Sequence, residues 1–263
     1  MGDWGKITQT NGERKAMTEL YREWVVRRCN VAKELLGRRN EGVADAAVIL
    51  SALISALAAD SFPKEKKVGD AQRFVQLLVD PHILPDSPFM HISLVSLSND
   101  AGSLSESEHA SVKDALREYL KELPVPENGD PSWIDAGSVD TLCASSVDDI
   151  LRAAIKSKQR RIKLIRRNSY AHLLYKDLRC SYLHEYRSGE RVALAPGSGS
   201  QMASYRTEGG TTHAWLFFNA DQIIDQWIPQ IAEGLASHIK SQNKPNQFAS
   251  IDIPSPATYW LCG

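Results

Sequence analysis

From Val139 to Ser188 the chain contains neither glycine nor proline, and between Asp149 and Asp177 it also contains no acidic residue. Nothing in that stretch interrupts regular backbone structure, so it predicts helix: two in succession, or one long helix broken near Lys158. Ser146-Val-Asp-Asp149 begins the helical region and Gly189 supplies the stop. The acid-free part carries nine cations, Arg152, Lys156, Lys158, Arg160, Arg161, Lys163, Arg166, Arg167 and Lys176. The formal net charge of the chain is -1, so the remaining residues together carry about -10, and the basic run is a local feature. A run of this kind is either a solvated helix face or a surface built to meet a polyanion.

The chain of 263 residues can bury a sizeable core, and its 43% hydrophobic and 24% charged content is that of a soluble globular protein. Residues 1–13 read as a polar tail. From Arg14 to Arg39, Met17, Leu20, Tyr21, Trp24, Val25, Cys29, Val31, Ala32, Leu35 and Leu36 recur every three to four residues and predict a long amphipathic helix. Val43–Ala59 is apolar all round, which predicts a helix between other helices; it contains Asp45 and falls short of a membrane span. Asp70–Val79 reads as a short helix, and Met90–Leu97 as a short extended piece. Ser105-Glu-Ser-Glu108 is a capping box opening a helix to Leu123, and 124–131 reads as a loop. Met202–Thr207 and Thr212–Phe218 flank Gly209-Gly210 as a β-hairpin, and a last helix follows from Asn219 or Asp221 to Ser241, with Pro229 as a kink or first-turn residue. The expected fold is mainly α, one domain over 1–263: a helical core (14–187), a loop and β-hairpin (188–220), and a C-terminal helix (221–241).

Several chemistries lack their residues. There is no Gly-x4-Gly-Lys-Ser/Thr loop, no Gly-x-Ser-x-Gly elbow and no His-Glu-x-x-His. Cys29, Cys143, Cys180 and Cys262 are scattered without zinc-ligand spacing, so neither a metal site nor a disulfide framework is expected. No cofactor is implied. The opening Met1-Gly2-Asp3-Trp4 has no basic segment leading into an apolar one, and Lys6 stands where a myristoylation motif needs Ser or Thr. The expected location is the cytoplasm, away from membranes.

The basic run leads into two tandem units, Arg167-Asn-Ser-Tyr-Ala-His172 and Arg179-Cys-Ser-Tyr-Leu-His184. Arginine and histidine suffice for metal-free cleavage of RNA. An imidazole near its ordinary pKa of about 6.5 takes the proton of the 2′-hydroxyl or gives one to the leaving 5′-oxygen. A guanidinium holds the phosphate oxygens as negative charge develops. Positions five apart on a helix diverge by about 140°, so one unit does not converge on one phosphate. A second copy across a twofold axis completes the set, which makes a homodimer the expected form. His172 and Arg179, seven apart, share a face if the helix is continuous, and both units then line one groove with Arg166 and Arg167 on flanking phosphates. Tyr170, Tyr175, Tyr182 and Tyr186 either stack on unpaired bases or pack in the core.

These tandem units on a helical chain resemble the HEPN superfamily of ribonucleases and nucleotide-binding domains. Leu174-Tyr-Lys-Asp-Leu-Arg-Cys-Ser-Tyr-Leu-His-Glu185 is similar to the active-site helix of bacterial HEPN-like proteins, and Ala46–Val79 to the first part of such proteins. The resemblance covers roughly 14–187. It implies a HEPN-like helical bundle and a metal-independent endoribonuclease, a toxin or anti-phage effector, with RNA as substrate and a regulatory protein as a further partner. It points to Arg179 and His184 as the catalytic pair, with Arg166, Arg167, Asn168 and His172 binding nucleic acid or forming the alternative pair. Superfamily members often carry Asn, His or Asp after the arginine, as Arg167-Asn168 does and Arg179-Cys180 does not. Two other readings stand beside it: a non-catalytic HEPN-like module binding RNA, a nucleotide or a partner protein, and a structural helical protein whose basic helix pairs with acidic surface elsewhere in the molecule.

Overall fold

The computed structural model describes residues 11–38, 42–61, 69–100, 104–121, 123, 132–185, 187–189, 191–197, 201–207 and 214–241. The expected loop at 124–131, Gly209-Gly210, Tyr186 and the chain after 241 lie outside them. Helix α1 (Asn11–Leu36) begins three residues inside the expected tail. It packs on α2 (Gly42–Ser61), which packs in turn on α3 (Asp70–Val79). The window Gly42–Ala59 of α2 is long and apolar enough to cross a membrane, but half of it is buried inside the protein. That agrees with its all-round apolar sequence, which needs neighbours on several sides.

Residues 90–97, expected to be extended, are mostly helical. A 3-10 turn (Pro88–Met90) leads through Ile92 into α4 (Leu94–Asn99), capped by Ser93, whose hydroxyl accepts the Ser96 amide. Only Ile92 is strand-like, in a single antiparallel bridge to Ser169. Helix α5 (Glu106–Leu120) carries the expected capping box, with the Glu108 side chain on the Ser105 amide at 2.9 Å.

The Gly/Pro-free stretch is more broken than its composition predicts. After α6 (Ala136–Val139), which ends where the stretch begins, it forms α7 (Ala144–Leu151), α8 (Lys158–Arg167), α9 (Tyr170–Leu173), a π-helical segment (Leu174–Cys180) and α10 (Ser181–Glu185). Side-chain caps set several starts: Asp135 for α6, Ser157 for α8 and Ser169 for α9. The last helix is α11 (Ala220–Gln222) with an Asn219 cap, a second π-helical segment (Ile223–Trp227) and α12 (Ile228–Ser241). Pro229 is the second residue of α12, directly after the π-helical segment, so it lies inside a run of helix that is continuous from Ala220 to Ser241.

The expected hairpin is the centre of a larger element. Strands β3 (Ala203–Thr207) and β4 (Ala214–Asn219) pair antiparallel, with Tyr205 opposite Leu216. β1 (Ser132–Asp135) adds antiparallel to β3 and β2 (Val192–Ala195) adds parallel to β4, giving the order β1-β3-β4-β2. One sheet face, with Tyr205, Leu216, Phe218 and Val192, is buried with the helices in a core that includes Val25 of α1 and Leu235 of α12.

Close backbone approach fixes α12. A Cβ at Gly234 would lie 1.9 Å from the Ile83 carbonyl oxygen. Helix propensity alone favours Gly234→Ala by about 1 kcal/mol. The clash is with backbone, which does not yield as a side chain does, so we expect net destabilisation of about 1–3 kcal/mol in urea unfolding.

Candidate active site

The first Arg-x4-His unit straddles a break. α8 stops at Arg167, and before α9 starts the chain runs beside residues 91–93. The Ser93 amide donates to the Asn168 carbonyl and the Tyr170 amide to the His91 carbonyl, both at 2.9 Å. At this break Asn168 is 0% exposed and its amide is fully used. Its Nδ2 donates to Asp100 Oδ2 (3.0 Å) and to the Leu164 carbonyl (2.8 Å), while its Oδ1 accepts from Ser96 Oγ (2.8 Å) and from Arg191 (3.2 Å). Asn168, expected to bind nucleic acid or to support the alternative pair, is thus a buried amide with every valence occupied inside the fold.

Two arginines surround this hub. Arg167 Nε lies 2.8 Å from Asp100 Oδ2. Arg191, just before β2, donates through Nε (2.9 Å) and through its terminal nitrogen (2.6 Å) to Asp177 Oδ2. His172 is partly buried, and its Nδ1 is buried with no hydrogen-bond partner among the described residues. Burial first, then the positive charges of Arg166, Arg191 and Lys176, push its pKa down to about 4. The imidazole is thus neutral at pH 7, in a field that favours an anion beside it.

The second unit faces elsewhere. Arg179 Nε donates to Ser55 Oγ of α2 at 3.0 Å, and its terminal nitrogen pairs with Asp70 of α3 at 2.6 Å. Its guanidinium carbon also lies 5.0 Å from the Tyr175 ring centroid. The ion pair runs to Asp70, not to the sequence neighbours Asp177 or Glu185. His184 is exposed on α10. The shared face expected for His172 and Arg179 is not formed. The π-helical segment between them inserts an extra residue, which turns Arg179 by roughly 100° from its place on an unbroken α-helix.

Much of the basic run is paired inside the molecule. Arg160 grips both oxygens of Glu108 at 2.8 Å, holding that carboxyl down at about 2. Arg161 is buried on Asp148 at 2.7 Å, and Arg152 meets Asp149 at 2.6 Å. Lys156, Lys158, Lys163 and Lys176 are exposed. Tyr170 and Tyr182 are core residues, and Tyr175 packs edge-on against Phe74, so packing takes the three described tyrosines.

Beneath α9 lies a second polar cluster. Asp140 is fully buried and accepts from Tyr170 (2.7 Å), Tyr205 (2.6 Å) and the Leu94 amide (2.9 Å). Burial outweighs these bonds and raises its pKa to about 6. Arg191, Asp100 and Asp140 had no sequence signal as site residues; each is a lone charge in a loop or at an element's edge, joined to the others only by folding. Among the described residues, no three His, Cys, Asp or Glu side chains are grouped to hold a metal ion. No protein-family model, curated protein or solved structure matches the chain.

The two shifted groups oppose one another between pH 4 and 6. Asp140 holds its proton more tightly folded than unfolded, so its contribution to stability falls as pH rises from about 4 to about 6. His172 holds its proton less tightly, so its contribution is lost as pH falls from about 6.5 to about 4. Each effect is up to about 3 kcal/mol. In urea unfolding, wild type should therefore lose stability relative to Asp140→Asn as pH rises through this window, and gain it relative to His172→Gln.

Proposed function

We propose that the chain is a metal-independent endoribonuclease of HEPN type that works as a cytoplasmic homodimer, under the control of a regulatory partner, as a toxin or anti-phage effector. The reading rests most on one observation: a neutral imidazole whose buried Nδ1 has no partner among the described residues, with Arg166, Arg191 and Lys176 acting on it. A phosphodiester brought there meets positive charge from three side chains. The neutral imidazole takes the 2′-hydroxyl proton as the oxygen attacks phosphorus, and the developing charge then favours the imidazolium. The departing 5′-oxygen takes its proton from the second copy, leaving a 2′,3′-cyclic phosphate. Of the two units, we favour His172 with Arg166 over Arg179 with His184, because Arg179 is committed to Ser55 and Asp70; Arg167 is likewise held, by Asp100.

A second reading has its own support. Arg152, Arg160, Arg161 and Arg167 are each paired with carboxylates of this chain, as expected where a basic run serves the fold. The chain is then a structural helical protein whose basic helix pairs with acidic residues elsewhere in the molecule.

End-labelled RNA incubated in EDTA with wild type, His172→Ala, His184→Ala and the double variant separates the two. The catalytic reading expects cyclic-phosphate ends, and a loss of about 10²–10⁴-fold in rate for His172→Ala. The acid limb of kcat/KM should lie near pH 4, where the free His172 titrates, and not near 6.5. Cleavage that survives the double variant, or that requires magnesium, removes this reading. RNA binding without cleavage points instead to a non-catalytic HEPN-like module that binds RNA or a nucleotide or assembles with a partner protein, and no binding at all leaves the structural reading.

A further inference from the structure

The sheet has two unlike faces. Alternation sends Tyr205, Leu216, Phe218 and Val192 into the core, and sends Trp133, Arg206, Trp215 and Phe217 to the other side. Trp133 is 54% exposed and Trp215 39%. Register sets Trp133, Arg206 and Trp215 in one row across three neighbouring strands, so the two indoles spring from backbones about 10 Å apart. The Phe217 ring meets Trp133 edge-on with centroids 5.0 Å apart. The Arg206 guanidinium carbon lies 5.7 Å from the Trp133 ring centroid, and its Nε is buried without a hydrogen-bond partner among the described residues. The wet face of a sheet normally carries polar side chains, and a cluster of exposed rings there marks a surface that binds something.

Charge and shape select the occupant. Ser204, half-buried, is a small residue on the same face beside the rings. Asp135 is the one carboxylate at the described outward positions of the strands, and it is spent on capping α6, accepting the Gly137 amide at 3.0 Å. Arg206 therefore gives the face a positive character among its aromatic rings. Flat rings around a cation match a ligand with planar groups strung on an anionic backbone.

We propose that this sheet face is a stacking platform for unpaired bases of single-stranded RNA. Trp133 and Trp215 each take a base, and Arg206 meets the phosphate between them. The inference rests on the reading of the chain as a protein that acts on RNA, and it adds where the flanking nucleotides are held, on a surface separate from His172.

The test uses the full chain carrying His172→Ala, so that bound RNA persists, with fluorescein-labelled oligouridine and duplex RNA of the same length as probes in EDTA. Oligouridine should bind more tightly than the duplex. Trp133→Ala and Trp215→Ala should each weaken it about tenfold, and the pair about a hundredfold. Trp133→Phe should keep most of the affinity, and Arg206→Gln should reduce the slope of log affinity against log salt by about one. Both tryptophans are exposed, so the alanine variants should melt with wild type. Equal binding by the double tryptophan variant overturns the proposal, as does absence of oligouridine binding by the parent. Unchanged binding with a dimer turned to monomer assigns the face to a contact between copies instead. The catalytic reading is judged separately: tryptophan-dependent binding by a protein whose wild type does not cleave RNA in EDTA sustains the platform and removes the nuclease.

Discussion

A single buried amide joins three parts of this molecule that are distant in sequence. Asn168 reaches the α4 region through Ser96 and Asp100, its own helix through the Leu164 carbonyl, and the start of β2 through Arg191. Removing it would leave a guanidinium, a carboxylate and a hydroxyl short of partners in a region closed to water, and each such group costs about 1–3 kcal/mol. The break between α8 and α9 exists because this set of bonds is better than one more turn of helix. It aligns Ile92 with Ser169 and places Arg167 and His172 on separate segments. The geometry of the first Arg-x4-His unit is thus a consequence of the Asn168 environment, not of helical periodicity.

Electrostatics follows from the same arrangement. Asp177 neutralises Arg191 closely, yet Arg191 still acts on the buried imidazole of His172 together with Arg166 and Lys176. A histidine in water would be partly charged near neutrality; here burial and repulsion both favour the neutral form. The sum is a site that gains by admitting negative charge. The four arginines paired with Glu108, Asp148, Asp149 and Asp100 moderate that conclusion, because their charge is largely spent on holding α7 and α8 to the rest of the chain. What remains toward solvent is a smaller cationic surface than nine basic residues suggest.

Periodicity and capping made the long elements legible. Trp24, Val25, Cys29, Ala32 and Leu36 gave α1; Ser105 and Glu108 gave the start of α5; Asn219 gave α11. What stayed hidden depends on distant contacts. β1 and β2 have only four residues each, too few for alternation to register, and become strands because β3 and β4 offer edges. The π-helical segment Leu174–Cys180 leaves no mark in a sequence whose local propensity is ordinary α-helix, and the shared face of His172 and Arg179 holds only for an unbroken α-helix. Arg191 was invisible as a site residue because nothing near it in sequence shares its partners. Arg and His types in the tandem units were visible; their surroundings were not.

The sheet binds the two candidate surfaces into one mechanical unit. The Arg191 carbonyl accepts the Leu216 amide, so the residue that holds Asn168 and Asp177 is also hydrogen-bonded to the strand carrying Trp215 and Phe217. On the inner face, Phe218 meets the Tyr170 ring edge-on at 5.4 Å, and Tyr170 and Tyr205 share Asp140. Tyr170 opens α9, two residues before His172. A shift of β4 therefore cannot occur without disturbing either the Arg191 network or the Asp140 cluster, both of which are buried and closely paired. Rigid connection of this kind suits a protein that holds a flexible chain at one place while positioning a single linkage of it at another, since any slack between the two would be spent as lost orientation at the reacting phosphate.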